Sequence, residues 1–170
     1  MTDAPYIAPK NRNYAKSPAD LPDPSRALSR SGLESMQAML RGETVGPPIS
    51  EGMNYTIDTV EEGRVVFRGA PLFAHTNPMG TVHGGWYGTL LDSCMACAVM
   101  TMVPKGSVYT TLEYKINITR AIPVGMEVVA VGTIQHAGRS TGVANGEIRG
   151  AKDGKLYATG STTCIIMKVG

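Results

Sequence analysis

Between Gly69 and Pro104, 36 consecutive residues carry a single formally charged side chain, Asp92, where the chain's 18% charged content would place about six. A stretch this poor in charge has to be hidden from water, either in a bilayer or in a protein core. A membrane-spanning helix needs about 20 predominantly apolar residues, and Gly84 to Val103 has that length. Asp92, however, sits near its middle, where a carboxylate costs roughly 2.5–3.5 kcal/mol on insertion scales. Gly85, Gly88, Thr89, Ser93 and Thr101 dilute the run further, and no Lys/Arg cluster flanks it. The segment therefore reads as a long helix buried inside a globular domain, with one carboxylate on it.

The 170 residues make one domain of ordinary size, long enough to bury about 70% of the unfolded surface without metals or disulfides. Sixteen Lys+Arg against 14 Asp+Glu, a net +2, lacks the clustered basic excess of a nucleic-acid binder. The three cysteines, Cys94, Cys97 and Cys164, are an odd number and make no disulfide framework. Cys94 and Cys97 form a C-x-x-C, but the remaining ligands of a zinc site are missing, so no metal is expected. With no basic region followed by an apolar leader, the expectation is a cytoplasmic protein that engages neither membrane nor nucleic acid.

Seven of the 11 prolines lie in the first 48 residues. Residues 1–24 show no apolar period and read as an arm. Leu28, Leu33, Met36, Met39 and Leu40 then fall on one helical face between Ser25 and Arg41, with Gly42 as a stop. Residues 1–45 are thus expected to be an N-terminal arm with a short helix, and residues 46–170 the main domain, entered through a linker at Gly46–Ser50. In that domain Tyr55–Val60 and Arg64–Arg68, joined at Glu61-Glu62-Gly63, read as a hairpin. Strand-like runs follow the helix at Val108–Thr119, Met126–Gln135, Thr141–Arg149 and Leu156–Met167, with turns at Pro123–Gly125, Ala137–Arg139 and Lys152–Lys155. Two strands, one helix and four strands predict an α+β domain whose meandering sheet surrounds a helix that is apolar on most sides.

The chemistry concentrates where a polar, glycine-rich loop enters that helix. The run is His75-Thr-Asn77-Pro-Met-Gly80-Thr-Val-His83-Gly84-Gly85, with Asp92 nine residues after His83. The first N–H groups of a helix have no internal partner and carry about half a positive charge, and glycines let a ligand approach them closely. Such donors suit a carbonyl oxygen that becomes an oxyanion. Asp92, about two turns further on in apolar surroundings, has the environment that raises a carboxyl pKa and suits a general base or a nucleophile. Asn77 before a proline is also an ordinary turn residue, and His83 before two glycines can simply close a turn.

Asn77-x-x-Gly80-x-x-His83-Gly84-Gly85 followed by Asp92 resembles the signature of phenylacetate-degradation-type (PaaI-like) acyl-CoA thioesterases of the hotdog superfamily. The flow from Gly46 to Met167, including Tyr109–Asn117, the Pro123 turn and Gly154–Gly160, is similar too. The resemblance implies a hotdog fold, a long central helix wrapped by a curved antiparallel sheet, and an enzyme that hydrolyses an acyl- or arylacyl-CoA to free acid and CoA with no cofactor beyond the CoA of its substrate. It implies a homodimer or homotetramer with active sites at the subunit interface. Asp92 then matches the catalytic carboxylate, either activating water or forming a mixed anhydride. Gly85 and neighbouring Gly84 match the oxyanion position, and His83 and Asn77 match groups that orient the carbonyl or water. A hydroxyl on the strand after the helix assists the water; Thr110 and Thr111 both qualify, alternation allows only one to face the site, and Thr111 is favoured. Arg139 and Ser140 match positions that contact the nucleotide or pantetheine. Trp86, Tyr87, Met95 and Met100 read as core rather than as an acyl tunnel.

Two other functions fit the same fold. A hotdog hydratase or dehydratase places its His and acid in a different loop from the one seen here. A non-catalytic acyl-CoA or aromatic-ligand binder has little use for a buried carboxylate beside a thioester. Both are told apart from a hydrolase by whether free thiol appears.

Overall fold

Strand β5 (Thr141–Gly150) shows how the helix and sheet fit together. Its inward positions, Gly142, Ala144, Gly146 and Ile148, alternate with outward ones, and three of the four are small. In the computed structural model, which describes residues 13–23, 25 and 28–169, those small residues let the backbone of the long helix α3 (Gly84–Met100) settle on the sheet. A Cβ at Gly142 would overlap Val99, one at Gly146 would overlap Met95, and one at Gly132 would overlap the Cys94 carbonyl. The last obstacle is helix backbone, which cannot swing aside. Gly132→Ala is therefore expected to cost about 3 kcal/mol, the upper end for overpacking, and to lower Tm by roughly 6–12 °C in a thermal melt. A variant melting with the wild type would contradict this packing.

The sheet has six strands in the order β1-β2-β4-β5-β6-β3, all antiparallel. They are β1 (Tyr55–Glu61), β2 (Arg64–Gly69), β3 (Ser107–Ile118), β4 (Val128–Ala137), β5 and β6 (Leu156–Lys168). The hairpin turns at Gly63, with φ +72°, as the sequence reading expects. Register irregularities in β1, β3, β4 and β6 bend the strands, so the sheet curls around α3 and touches it through β2 to β6. That enclosure is why α3 has no polar face: Trp86, Tyr87, Leu90, Leu91, Cys94, Met95, Ala98 and Val99 are all buried. Trp86, Tyr87 and Met95 are core, as expected, whereas Met100 is only partly buried. Among the described residues no helix is long and apolar enough to cross a membrane, and the three cysteines are free.

Of the helix expected over residues 25–41, Gly32–Leu40 forms α1; residues 1–12, 24, 26 and 27, which complete the expected arm, lie outside those described. Ser31 starts α1 with a capping box: its Oγ accepts the Glu34 N–H at 3.2 Å and Glu34 Oε2 accepts the Ser31 N–H at 2.7 Å. The stop is the expected Gly42, at φ +77°, where the Gly42 and Glu43 N–H groups close back on Met39 and Ala38. Met36 and Ala38 are fully buried, and the Gly32 N–H donates to Val103 O at 2.9 Å. α1 thus docks on β1 and on the end of α3. The linker expected at Gly46–Ser50 contains instead the start of a short helix, α2 (Pro48–Gly52), because Pro48 at its first position is already set at a helical φ.

Strands β1 and β3 are the edges of the sheet. In β3 the pairing with β6 skips Leu112. This extra residue reverses which parity faces the helix: Thr111 faces α3 before the bulge, and Tyr114, Ile116 and Ile118 do after it. Along this edge strand the large apolar residues Leu112 (60%), Tyr114 (47%) and Ile118 (46%) are exposed, alternating with exposed Glu113, Lys115 and Asn117.

Candidate active site

The loop before α3 is held by its own side chains. Asn77 Oδ1 accepts the N–H groups of Met79 and Thr81 at 3.0 and 3.2 Å, and its Nδ2 donates to Thr81 Oγ1 at 2.8 Å. Gly80, at φ +76°, makes the turn. Asn77 thus fills the turn role within the loop. His75, buried behind the loop, accepts the Leu72 N–H at Nδ1 (2.9 Å), contacts Gly52 O through Nε2 (2.8 Å), and stacks on Trp86. It is a structural histidine.

His83 is the N-cap of α3, and its ring Nδ1 accepts the Gly85 N–H at 2.8 Å. The donor that the resemblance assigns to a carbonyl oxygen is thus covered by a side chain two residues away. Both residues are exposed, so an incoming carbonyl can take the N–H once the imidazole turns off it.

Asp92 lies half-buried on the face of α3 that looks toward β3. Thr111 Oγ1–H donates to Asp92 Oδ1 at 3.1 Å, and Cys164 Sγ lies 3.9 Å from the same hydroxyl. Burial pushes the Asp92 carboxyl above the usual aspartate range, and the Thr111 hydrogen bond pulls it part of the way back. Around it, burial drives the Cys97 thiol up to about 12, with the Asp92 charge adding to the effect. Burial also raises Tyr109 and Cys164, with Asp92 again contributing. These neighbours stay protonated well above neutrality and leave Asp92 as the group that ionises. Of the two candidate threonines, Thr111 is the one hydrogen-bonded to Asp92. Thr110 is exposed on the opposite parity.

The remaining expected residues do not converge on Asp92 within one chain. Gly84 and Gly85 open α3, seven to eight residues before Asp92, so about 10–12 Å of helix separates them. Arg139 and Ser140 are exposed in the β4–β5 turn, where Ser140 O accepts the Ile166 N–H at 2.9 Å, at the far end of α3 beside Val99. Sequence reasoning passed over Tyr109, although its signal was present: it precedes Thr111 by two and so shares its face.

One long helix inside a curled antiparallel sheet, with a half-buried carboxylate turned to the open sheet edge, defines a hotdog-fold protein. Residues 79–157 match the thioesterase superfamily. Acyl-coenzyme A thioesterase 13 of Mus musculus is 32% identical over 89 residues, 52% of this chain and 63% of the relative, so the match spans less than two thirds of that protein. Among solved structures, a phenylacetic acid degradation-related protein from Ralstonia eutropha JMP134 is 29% identical with a TM-score of 0.69, over 76% of this chain and 97% of that one. A hypothetical thioesterase protein from Streptococcus pneumoniae TIGR4, solved with coenzyme A, is 26% identical with a TM-score of 0.61, over 68% and 87%.

Proposed function

We propose that this chain hydrolyses the thioester of an acyl-CoA, as a homodimer or a larger even assembly whose active sites each combine two subunits. The observation that carries the reading is Asp92: a carboxylate kept half-buried at a sheet edge, its pKa raised by burial and held in aim by Thr111. Burying a charge this way costs stability, and a base or nucleophile gains from a pKa nearer the working pH.

The shared site follows from distance. A carbonyl held by the Gly85 N–H must have its carbon about 3–3.5 Å from the attacking atom, yet Asp92 of the same chain is about 10 Å along the helix. Gly84, Gly88 and Asp92 lie along β3, whose free edge exposes the apolar Leu112, Tyr114 and Ile118. A second subunit adding its own β3 there covers that edge and, by two-fold symmetry, sets its Asp92 against the first subunit's Gly85. Arg139 and Ser140 are then available to the nucleotide end of CoA. Either water adds to the carbonyl carbon with Asp92 taking its proton, and the C–S bond breaks as CoA leaves and takes up that proton; or the Asp92 carboxylate adds first, CoA thiolate leaves with a proton from solvent, and water then cleaves the anhydride to the free acid and the restored carboxylate.

The direct test is release of free CoA thiol from a panel of short, long and aromatic acyl-CoAs; binding without thiol over hours across the panel would overturn the reading. The site also predicts a pH effect. Thr111→Val removes the hydrogen bond that stabilises the Asp92 anion, so the acid limb of kcat/KM moves to higher pH. On the acid side the loss is expected to be roughly 2- to 12-fold, the worth of one such hydrogen bond, with Thr111→Ser restoring the wild-type profile. An unmoved acid limb would detach Thr111 from Asp92.

A further inference from the structure

We propose that the cavity between α1, the C-terminal end of α3 and the start of β3 receives the acyl group of the substrate, so that the N-terminal helix selects which acyl groups are accepted. This rests on the thioester-hydrolase reading and adds to it a wall from α1, residues outside the matched superfamily segment.

The cavity has a volume of about 460 Å³, within the size range of small-molecule sites. Met39 and Ser35 of α1 form one side, Met100 and Val103 the end, and Val108 and Tyr109 the β3 side. The charged residues that border it, Asp20, Arg30 and Glu43, are exposed, which puts charge at the rim and leaves hydrocarbon inside.

Its connection to the carboxylate runs through β3. Tyr109 and Thr111 share a face of that strand, one side-chain repeat apart, about 7 Å. Thr111 is bonded to Asp92, while Tyr109 lines the cavity. Burial and the nearby Asp92 charge keep the Tyr109 phenol neutral, so no charge interrupts the path. A thioester carbon at Asp92 therefore has apolar space beginning one repeat away. An uncharged acyl group longer than acetyl, medium-chain or arylacyl, fits this chemistry; among the described residues an acyl group ending in a carboxylate meets no buried cation.

The test uses the whole 170-residue chain carrying Asp92→Asn, in which turnover is slowed at least about 10²-fold, titrated by calorimetry with acetyl-, hexanoyl-, decanoyl- and phenylacetyl-CoA and checked for residual thiol release. Affinity is expected to rise by roughly fourfold for each methylene buried, the worth of a CH₂ taken from water, until the cavity is filled. Adding Ser35→Trp is expected to collapse the decanoyl-to-acetyl affinity ratio by tenfold or more, and Ser35→Leu to do the same with smaller amplitude should the Trp variant fail to fold. A folded Ser35 variant that keeps the full chain-length dependence overturns the cavity assignment. Thiol release by the wild type is scored separately. Turnover with no effect of Ser35 sinks the cavity and leaves the hydrolase; a Ser35-dependent chain-length effect without any thiol release sustains acyl binding there and sinks the hydrolase.

Discussion

Asp92→Asn is expected to lower kcat by about 10²- to 10⁴-fold, the range for losing a positioned general base, with little change in KM. The substitution keeps the shape, and the Asn carbonyl still accepts the Thr111 hydrogen bond, so the acyl-CoA binds much as before. What disappears is the negative oxygen that takes a proton from water or attacks the carbonyl, and both routes need it. Stability separates this result from unfolding. Because the folded Asp92 carboxyl titrates above its usual range, its favourable protonated form is lost as pH rises through that raised value, and the ionised side chain burdens the fold from there upward. Asn carries no such burden. The variant is therefore expected to melt at or above the wild-type temperature at neutral pH, the difference closing as the pH falls and Asp92 becomes protonated. Near-wild-type turnover by a folded Asp92→Asn protein would end the assignment, while lost turnover together with a lowered Tm would point to a structural carboxylate.

Much of this arrangement was legible because it is written in periodicity and charge. The uncharged run from Gly69 to Pro104 marks α3, since only burial on every side tolerates so few charges. Strand alternation limited the site-facing hydroxyl to one of Thr110 and Thr111. What could not be read depends on groups far apart in the chain. The bulge at Leu112 changes which β3 residues face the helix, and a one-residue skip in pairing leaves no local mark. The small inward residues Gly132, Gly142 and Gly146 read as ordinary strand positions, because their partners, the Cys94 backbone and the Val99 and Met95 side chains, sit on a helix far earlier in the chain. α1 was readable as a helix with its stop, yet its place on the end of α3 depends on Gly32 meeting the Met100–Val103 corner. Likewise the motif spacing brings Gly85 and Asp92, two turns apart, to one helix face but does not say that His83 covers the Gly85 N–H, or that about 10 Å of helix separates donor from carboxylate.

That separation yields the sharpest test of the assembly, a complementation between two inactive proteins. Gly85→Pro removes the N–H proposed to hold the carbonyl oxygen. Gly85 is the second residue of α3 and its N–H goes to the His83 ring, not to the helix ladder, so proline there breaks no i→i−4 bond. Alone, Gly85→Pro and Asp92→Asn are each expected to be nearly inactive. Co-expressed with different tags, about half of the dimers are mixed, and each mixed dimer holds one complete site: Gly85 from the Asp92→Asn chain and Asp92 from the Gly85→Pro chain. The mixture is thus expected to recover about a quarter of wild-type thiol release, and dimers purified through both tags about half. If the site lay within one chain, every site in the mixed dimer would lack either donor or carboxylate and the mixture would stay at background. Recovery in the doubly tagged fraction therefore requires a carboxylate acting across the β3 edge, and background activity there, with both chains folded and paired, would return Asp92 and Gly85 to a single subunit.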